Sequence, residues 1–129
     1  MKKGGVLNRG LAGALAGLGH GDGVLVCDVG MPIPDGPAVV DLAFRAGVPP
    51  FAEVLTGLLD ELVVEGATAA TEVRAANPAT AALLDDRFPD LALVPHEELK
   101  RLSRSARLIV RTGEATPYAN VLLRCGVFF

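Results

Sequence analysis

An unbroken apolar run at residues 23–29 limits the folds open to this chain more than any other feature. The run Gly-Val-Leu-Val-Cys is followed by Asp28 and Val29, and no polar side chain alternates with the apolar ones before Asp28. Because side chains of a strand point alternately to its two faces, such a strand must be covered on both sides. The run therefore predicts an interior strand of a sheet flanked by helices, with a carboxylate at its end.

The remaining sequence predicts helices and strands in alternation. Asn8 is a helix N-cap, and Leu11, Leu15 and Leu18 form one apolar stripe that ends near Gly19. Three prolines make residues 31–37 a stiff loop. Further helices are predicted over 50–59, from 77 through 84 toward 88, and from 95 onward, and further strands over 38–44, 91–94, 108–112 and 121–125. Residues 62–70 fit either a strand or the start of a helix. The prediction is a single-domain α/β protein over residues 1–129, a three-layer sandwich with a mostly buried mixed sheet.

Size and composition exclude several classes of function. A chain of 129 residues, 50% hydrophobic, can bury a core without metal or disulfide support. Its net charge is -3 and its basic residues are scattered apart from a run at 100–107, which we expect to face water, so no nucleic-acid partner is predicted. No segment reaches the roughly 20 apolar residues of a membrane span.

The N-terminal segment and the cysteines predict a cytoplasmic protein. The first 18 residues resemble a secretory signal, but Asn8 and Arg9 interrupt them and three glycines break the apolar segment, so export is not expected. Cys27 and Cys125 lie in apolar runs without a Cys or His at metal-ligand spacing, which indicates buried thiols in a reducing compartment.

The glycine cluster at residues 17–23 does not match a nucleotide site. A dinucleotide fingerprint follows a strand and opens a helix, whereas this cluster follows a helix and opens a strand. The chain also lacks a P-loop lysine and a Gly-x-Ser-x-Gly elbow. The sequence therefore lacks the usual markers of phosphoryl transfer and of serine hydrolysis.

The polar residues that remain suit acid/base chemistry on a hydroxylated ligand. His20 lies just past a helix end, His96 opens a helix, and a rigid loop at 113–120 offers Glu114, Tyr118 and Asn120. Histidine exchanges protons near neutral pH, while Asn, Asp and Tyr recognise hydroxyl groups. Taken singly, each has an ordinary structural interpretation, such as a helix C-terminal histidine for His20 or a solvated turn carboxylate for Glu114.

As a set, the motifs resemble one family over essentially the whole chain. Leu18-Gly-His20, Val26-Cys-Asp28-Val-Gly30, Pro32-Ile-Pro34, Arg111-Thr-Gly-Glu114 and Pro117-Tyr-Ala-Asn120 follow the order found in D-ribose pyranases. The chain is thus similar to the ribose pyranase and fucose mutarotase superfamily. The dipeptide Gly21-Asp22 after His20 also resembles fucose mutarotases, whereas Pro32-Ile-Pro34 favours the ribose enzymes.

The resemblance implies an intramolecular isomerase that interconverts the pyranose and furanose forms of D-ribose without a cofactor or metal. It implies His20 as the proton donor and Asp28, His96, Tyr118, Ala119 and Asn120 as the ligand-binding residues. It further implies a cytoplasmic ring-shaped homo-oligomer, a decamer of two pentamers. Two alternatives stay open at this point, an L-fucose mutarotase and a non-catalytic sugar-binding accessory of ribose uptake.

Overall fold

The computed structural model describes residues 1–129 as one sheet with helices on both faces. The helices are α1 (Arg9–Ala16), α2 (Phe51–Leu59), α3 (Val73–Ala76), α4 (Pro78–Arg87) and α5 (His96–Ser103). The strands are β1 (Gly23–Cys27), β2 (Ala38–Asp41), β3 (Val64–Ala70), β4 (Ala92–Val94), β5 (Leu108–Arg111) and β6 (Val121–Cys125). The predicted α/β sandwich is confirmed, and residues 62–70 contain a strand.

The sheet is mixed, with strand order β2-β5-β1-β6-β3-β4. β1 pairs in parallel with β5 and antiparallel with β6. β3 pairs antiparallel with β6 and in parallel with β4. All strands except β6 therefore end at the same edge of the sheet, where β6 begins.

β1 is buried on both faces, as its apolar run predicts. Val24 and Val26 belong to the larger core cluster with α1, α2 and α4, while Leu25 and Cys27 belong to a second cluster that includes Leu99 of α5. Burial raises the pKa of the Cys27 thiol to about 12, so this cysteine stays protonated and inert. Cys125 is also a free, buried thiol.

Local sequence explains the boundaries of several elements. The Asn8 side chain accepts the backbone N–H of Leu11 at 2.9 Å and caps α1 as predicted. Asn77 likewise caps α4. Strand β2 ends at Asp41, before the predicted Phe44, because the Asp41 carboxylate accepts the N–H of Ala43 and turns the chain. No helix is long and apolar enough to cross a bilayer.

Candidate active site

The edge where five strands end collects most of the predicted site residues. Asp28 follows β1, and Asn120 precedes β6, so the antiparallel pairing of these strands brings the two residues together. His96 follows β4 after Pro95 and is the first residue of α5. This is the edge at which α/β sheets commonly bind ligands.

Asp28 and Asn120 bind each other reciprocally. The Asn120 side-chain oxygen accepts the Asp28 backbone N–H at 2.9 Å, and the Asn120 amide donates to the Asp28 carboxylate at 3.1 Å. The backbone N–H of Gly30 donates to the other carboxylate oxygen at 3.0 Å. Asn120 is fully buried, so in this conformation it acts by fixing Asp28.

The surroundings of Asp28 favour its protonated form. The residue is 8% exposed, and burial raises the pKa of its carboxyl. Hydrogen bonds from Gly30, Asn120 and Met31 and the charge of His96 act in the opposite direction. A carboxyl group that lines a hollow of about 190 Å³ is thus held in one orientation with an elevated proton affinity.

His96 and Tyr118 form the second part of this cluster. Their rings meet edge to face with centroids 5.1 Å apart. His96 Nδ1 is buried and has no hydrogen-bond partner, which is unusual for a buried polar atom. Tyr118 has a φ of 58°, a left-handed conformation that costs a non-glycine residue free energy and occurs preferentially at functional sites. The fold therefore holds both rings in a constrained arrangement.

Ala119 and Glu114 have structural positions. Ala119 is fully buried in the core, so its methyl group cannot face a ligand. Glu114 accepts the N–H of Phe51 at the start of α2 with one oxygen and bonds Thr116 with the other. Both carboxylate oxygens of Glu114 are occupied, and the residue braces the 113–120 loop.

His20 lies at the opposite edge of the sheet from the other predicted residues. It precedes β1, and the N–H of the following Gly21 bonds the carbonyl of Cys125, where β6 ends. The five steps along the chain from Gly23 to Asp28 span about 16 Å at the usual rise per residue of a strand. A single chain therefore does not bring His20 together with Asp28, His96, Tyr118 and Asn120.

Two glutamates contact the predicted histidines but are not among the site residues predicted from the sequence. Glu72 accepts the backbone N–H of His96 at 3.0 Å, and hydrogen bonds from its own N–H and that of His96 lower the pKa of its carboxyl. Glu65 contacts His20 through its carboxylate. Neither stands in a local pattern that marks function, because each meets its histidine only through strand pairing. No group of three or more His, Cys, Asp or Glu side chains is arranged to hold a metal ion.

Comparisons with known proteins agree with this fold. The sequence profile of the RbsD / FucU transport protein family matches residues 1–128. A D-ribose pyranase of Streptomyces coelicolor is 82% identical over 129 residues, which cover all of both chains. The structure of Bacillus subtilis RbsD complexed with D-ribose has a TM-score of 0.95 at 43% identity, covering all of both chains. A fucose mutarotase from Streptococcus pneumoniae in complex with L-fucose has a TM-score of 0.80 at 19% identity over 95% of each chain, and shows the same fold.

Proposed function

The chain belongs to the RbsD / FucU transport protein family, and from this premise we propose that it is a D-ribose pyranase. It interconverts the pyranose and furanose forms of D-ribose. The observation that carries the proposal is the 82% identity to a D-ribose pyranase along the whole chain. The position of Asp28, His96 and Tyr118 at one sheet edge supports it, because a sugar needs several hydroxyl-binding groups close together.

The reaction needs one proton accepted and one donated. An acceptor in the Asp28–His96 group takes the proton of the anomeric hydroxyl, while His20 protonates the ring oxygen as its bond to the anomeric carbon breaks. The open-chain aldehyde then recloses through a different hydroxyl, and the two protons return. No net charge or redox change occurs, so the protein's own side chains suffice for each proton transfer.

Asp28, His96 and Tyr118 contact the sugar. Ala119 and Asn120 belong to the same binding site and hold these three residues in position. The reciprocal hydrogen bonds between Asp28 and Asn120 fix the Asp28 carboxylate in one orientation. A site held in its binding geometry loses less conformational entropy when the sugar binds. The rigid 113–120 loop therefore serves affinity as well as orientation.

The distance between His20 and Asp28 supports a site formed by two copies of the chain. Within one chain the residues lie at opposite edges of β1, and the His20 side chain is 57% exposed. A second copy that places its Asp28 edge against His20 would complete the site and remove water from the imidazole. The protein then acts as a homo-oligomer in which each contact is head to tail.

Exposed aromatic side chains at both edges support this assembly. Phe128 and Phe129 are at least 90% exposed and border the hollow beside His20, while Phe44, 77% exposed, follows β2 at the Asp28 edge. Exposed apolar surface of this kind marks sites of association. Head-to-tail contacts close into rings when the rotation between copies permits, which suits the expected decamer of two pentameric rings. The buried free thiols of Cys27 and Cys125 suit a cytoplasmic location.

The test is exchange NMR between the pyranose and furanose signals of D-ribose, with L-fucose anomers measured in parallel. Wild-type protein should accelerate ribose exchange, and His20→Ala should lower the rate roughly 10²- to 10⁴-fold, the usual contribution of a positioned acid or base. Asp86→Ala, an exposed change on α4, is the matched control and should keep the wild-type rate.

Three other results of the exchange measurement would each change the proposal. Wild-type protein that binds ribose without accelerating exchange would be a sugar-binding accessory and not an enzyme. Acceleration confined to fucose would make the protein a fucose mutarotase. Full activity in His20→Ala would remove His20 from the mechanism while leaving the enzyme assignment intact.

A further inference from the structure

Glu65 occupies an irregular position in the sheet, beside His20. Val64 of β3 pairs with Cys125 of β6, but Gly66 pairs with the adjacent Arg124, so Glu65 is the extra residue of a bulge. Bulges change the direction in which a side chain points and are frequent next to active sites. This bulge directs the Glu65 side chain toward the residues that precede β1.

The carboxylate of Glu65 contacts the side chains of His20 and Arg124. Its Oε2 lies 3.0 Å from Nε2 of His20, and its Oε1 lies 2.9 Å from Nε of Arg124. A carboxylate oxygen can only accept, so the proton of a neutral His20 must lie on Nε2 for this bond to form. Arg124 holds the second oxygen and so fixes the plane of the carboxylate. The contact leaves Nδ1 of His20 free.

Gly126 lies against the Glu65 side chain. A Cβ at this position would lie 3.3 Å from Cβ of Glu65 and 3.5 Å from Oε2, the oxygen that bonds His20. It would also lie 3.2 Å from a methyl carbon of Val63. The bulge and Arg124 thus place the carboxylate, and the absence of a side chain at 126 leaves room for Cβ of Glu65.

We propose that Glu65 is a positioning residue that holds His20 in the Nε2–H form. Of the two ring nitrogens of His20, only Nδ1 then exchanges protons with the sugar. The inference rests on the proposed function of His20. Nδ1–H of the imidazolium donates its proton to the ring oxygen as the C1–O bond breaks. The resulting neutral imidazole keeps Nε2–H bonded to Glu65. Nδ1 then accepts the proton of the hydroxyl that attacks C1, and the imidazolium re-forms beside the carboxylate.

A carboxylate in this role acts in two ways. It orients the ring, and its negative charge lies beside the proton that Nε2 carries throughout the reaction. Replacement by an amide keeps the size of the side chain but removes the charge. An amide can also donate to Nε2, so it no longer selects one tautomer.

The experiment measures both the tautomer and the turnover of Glu65→Gln. The ¹⁵N shifts of the imidazole nitrogens, recorded above the titration range of histidine, report which nitrogen carries the proton. The chain has only two histidines, so the spectrum of His20→Ala assigns them. Wild-type His20 should be predominantly Nε2–H and Glu65→Gln a mixture. The kcat of the variant for ribose interconversion should fall roughly 10- to 100-fold, as is usual for a residue that orients a functional histidine, with KM nearly unchanged.

Glu61→Gln is the matched control, since Glu61 borders the hollow that His20 lines but accepts the backbone N–H of Val6. It should leave tautomer and kcat unchanged. Glu65→Ala is the second variant should Glu65→Gln fail to fold, and it should shift the tautomer balance by removing the carboxylate. Wild-type tautomer and kcat in either variant would overturn the inference. Failure of wild-type protein to accelerate ribose exchange would overturn the proposed function instead, and the tautomer measurement does not depend on turnover.

Discussion

Asp28 shows how a single residue links the fold to its proton chemistry. Burial raises the pKa of its carboxyl, so the folded chain binds this proton more tightly than the unfolded chain does. The resulting contribution to the free energy of unfolding is fully present below the unfolded pKa of about 3.9. It is lost as pH rises through the higher folded-state pKa. Proton binding at this site and stability therefore change together.

We expect the stability difference between wild-type protein and Asp28→Asn to depend on pH in this direction. Urea unfolding of both proteins, from about pH 4 to pH 7, should show the wild type losing stability relative to the variant as pH rises, because only the wild type acquires a buried negative charge. The difference should level off once the folded-state carboxyl is ionised. A difference that grows in favour of the wild type with rising pH would mean that the hydrogen bonds from Asn120 and Gly30 outweigh burial.

Residue positions were predictable where local sequence determines them and not where distant strands meet. Asp28 ends an apolar run, so its place at a strand end follows from neighbours in sequence. Its bond to Asn120 joins residues 92 positions apart and depends on the pairing of β1 with β6. Glu65 illustrates the same limit, because it contacts His20 only through a bulge in β3.

At the scale of elements, helices and strands with a cap or a clear apolar pattern were predicted correctly. Short or alanine-rich elements were missed or left ambiguous. The cap predicted at Asn8 is present, and the helix predicted from residue 77 begins there, with Asn77 as its cap. The short helix α3 was not predicted, since four residues carry no readable period. Residues 62–70 were ambiguous because alanine and glycine dilute their pattern, and the ladder with β6 determines that they form a strand.

The 113–120 loop is the element on which the site most depends, and Gly113 joins it to the turn at 47–49. The backbone N–H of Gly113 bonds Pro49, and its carbonyl accepts the N–H of Gly47. A Cβ at Gly113 would overlap the carbonyl oxygen of Val48. Because that oxygen belongs to the backbone, it cannot move aside as a side chain would. Gly113→Ala should therefore separate the two segments and lower the free energy of unfolding by about 1–3 kcal/mol, the usual range for overpacking.

Gly57→Ala is the matched control for Gly113→Ala. Gly57 lies within α2 with nothing near its Cβ position, so alanine there should stabilise the protein by roughly 0.5–1 kcal/mol through helix propensity. Chemical denaturation of both variants distinguishes the effects. Equal stability in the two variants would show that the loop accommodates a methyl group by moving away from Val48.

At the scale of the whole molecule, the strand order separates the two halves of the proposed site. Mixed pairing places the end of β1 and the start of β6 at one edge, and their other ends at the edge of His20. Sequence patterns predicted an α/β sandwich but not the strand order, since pairing partners are distant along the chain. Consequently, the sequence grouped His20 with Asp28, although the folded chain holds them apart.

This separation predicts complementation between inactive variants. His20→Ala and Asp28→Asn should each lose ribose interconversion when assembled alone. In oligomers formed by co-expressing both chains in equal amounts, a site takes His20 from one copy and Asp28 from another. Random assembly then leaves about a quarter of the sites with both residues intact, so roughly a quarter of wild-type activity should return.

The measurement is exchange NMR of ribose on doubly tagged, co-purified oligomers, with their mass determined by analytical ultracentrifugation. A mixture of the two variants purified separately, before any exchange of subunits, is the control and should be inactive. Because a site built within one chain would lack either His20 or Asp28 in every copy, co-assembled oligomers without activity would contradict a shared site. Recovered activity would show that the interface between copies, and not the single fold, unites the proton donor with the sugar-binding edge.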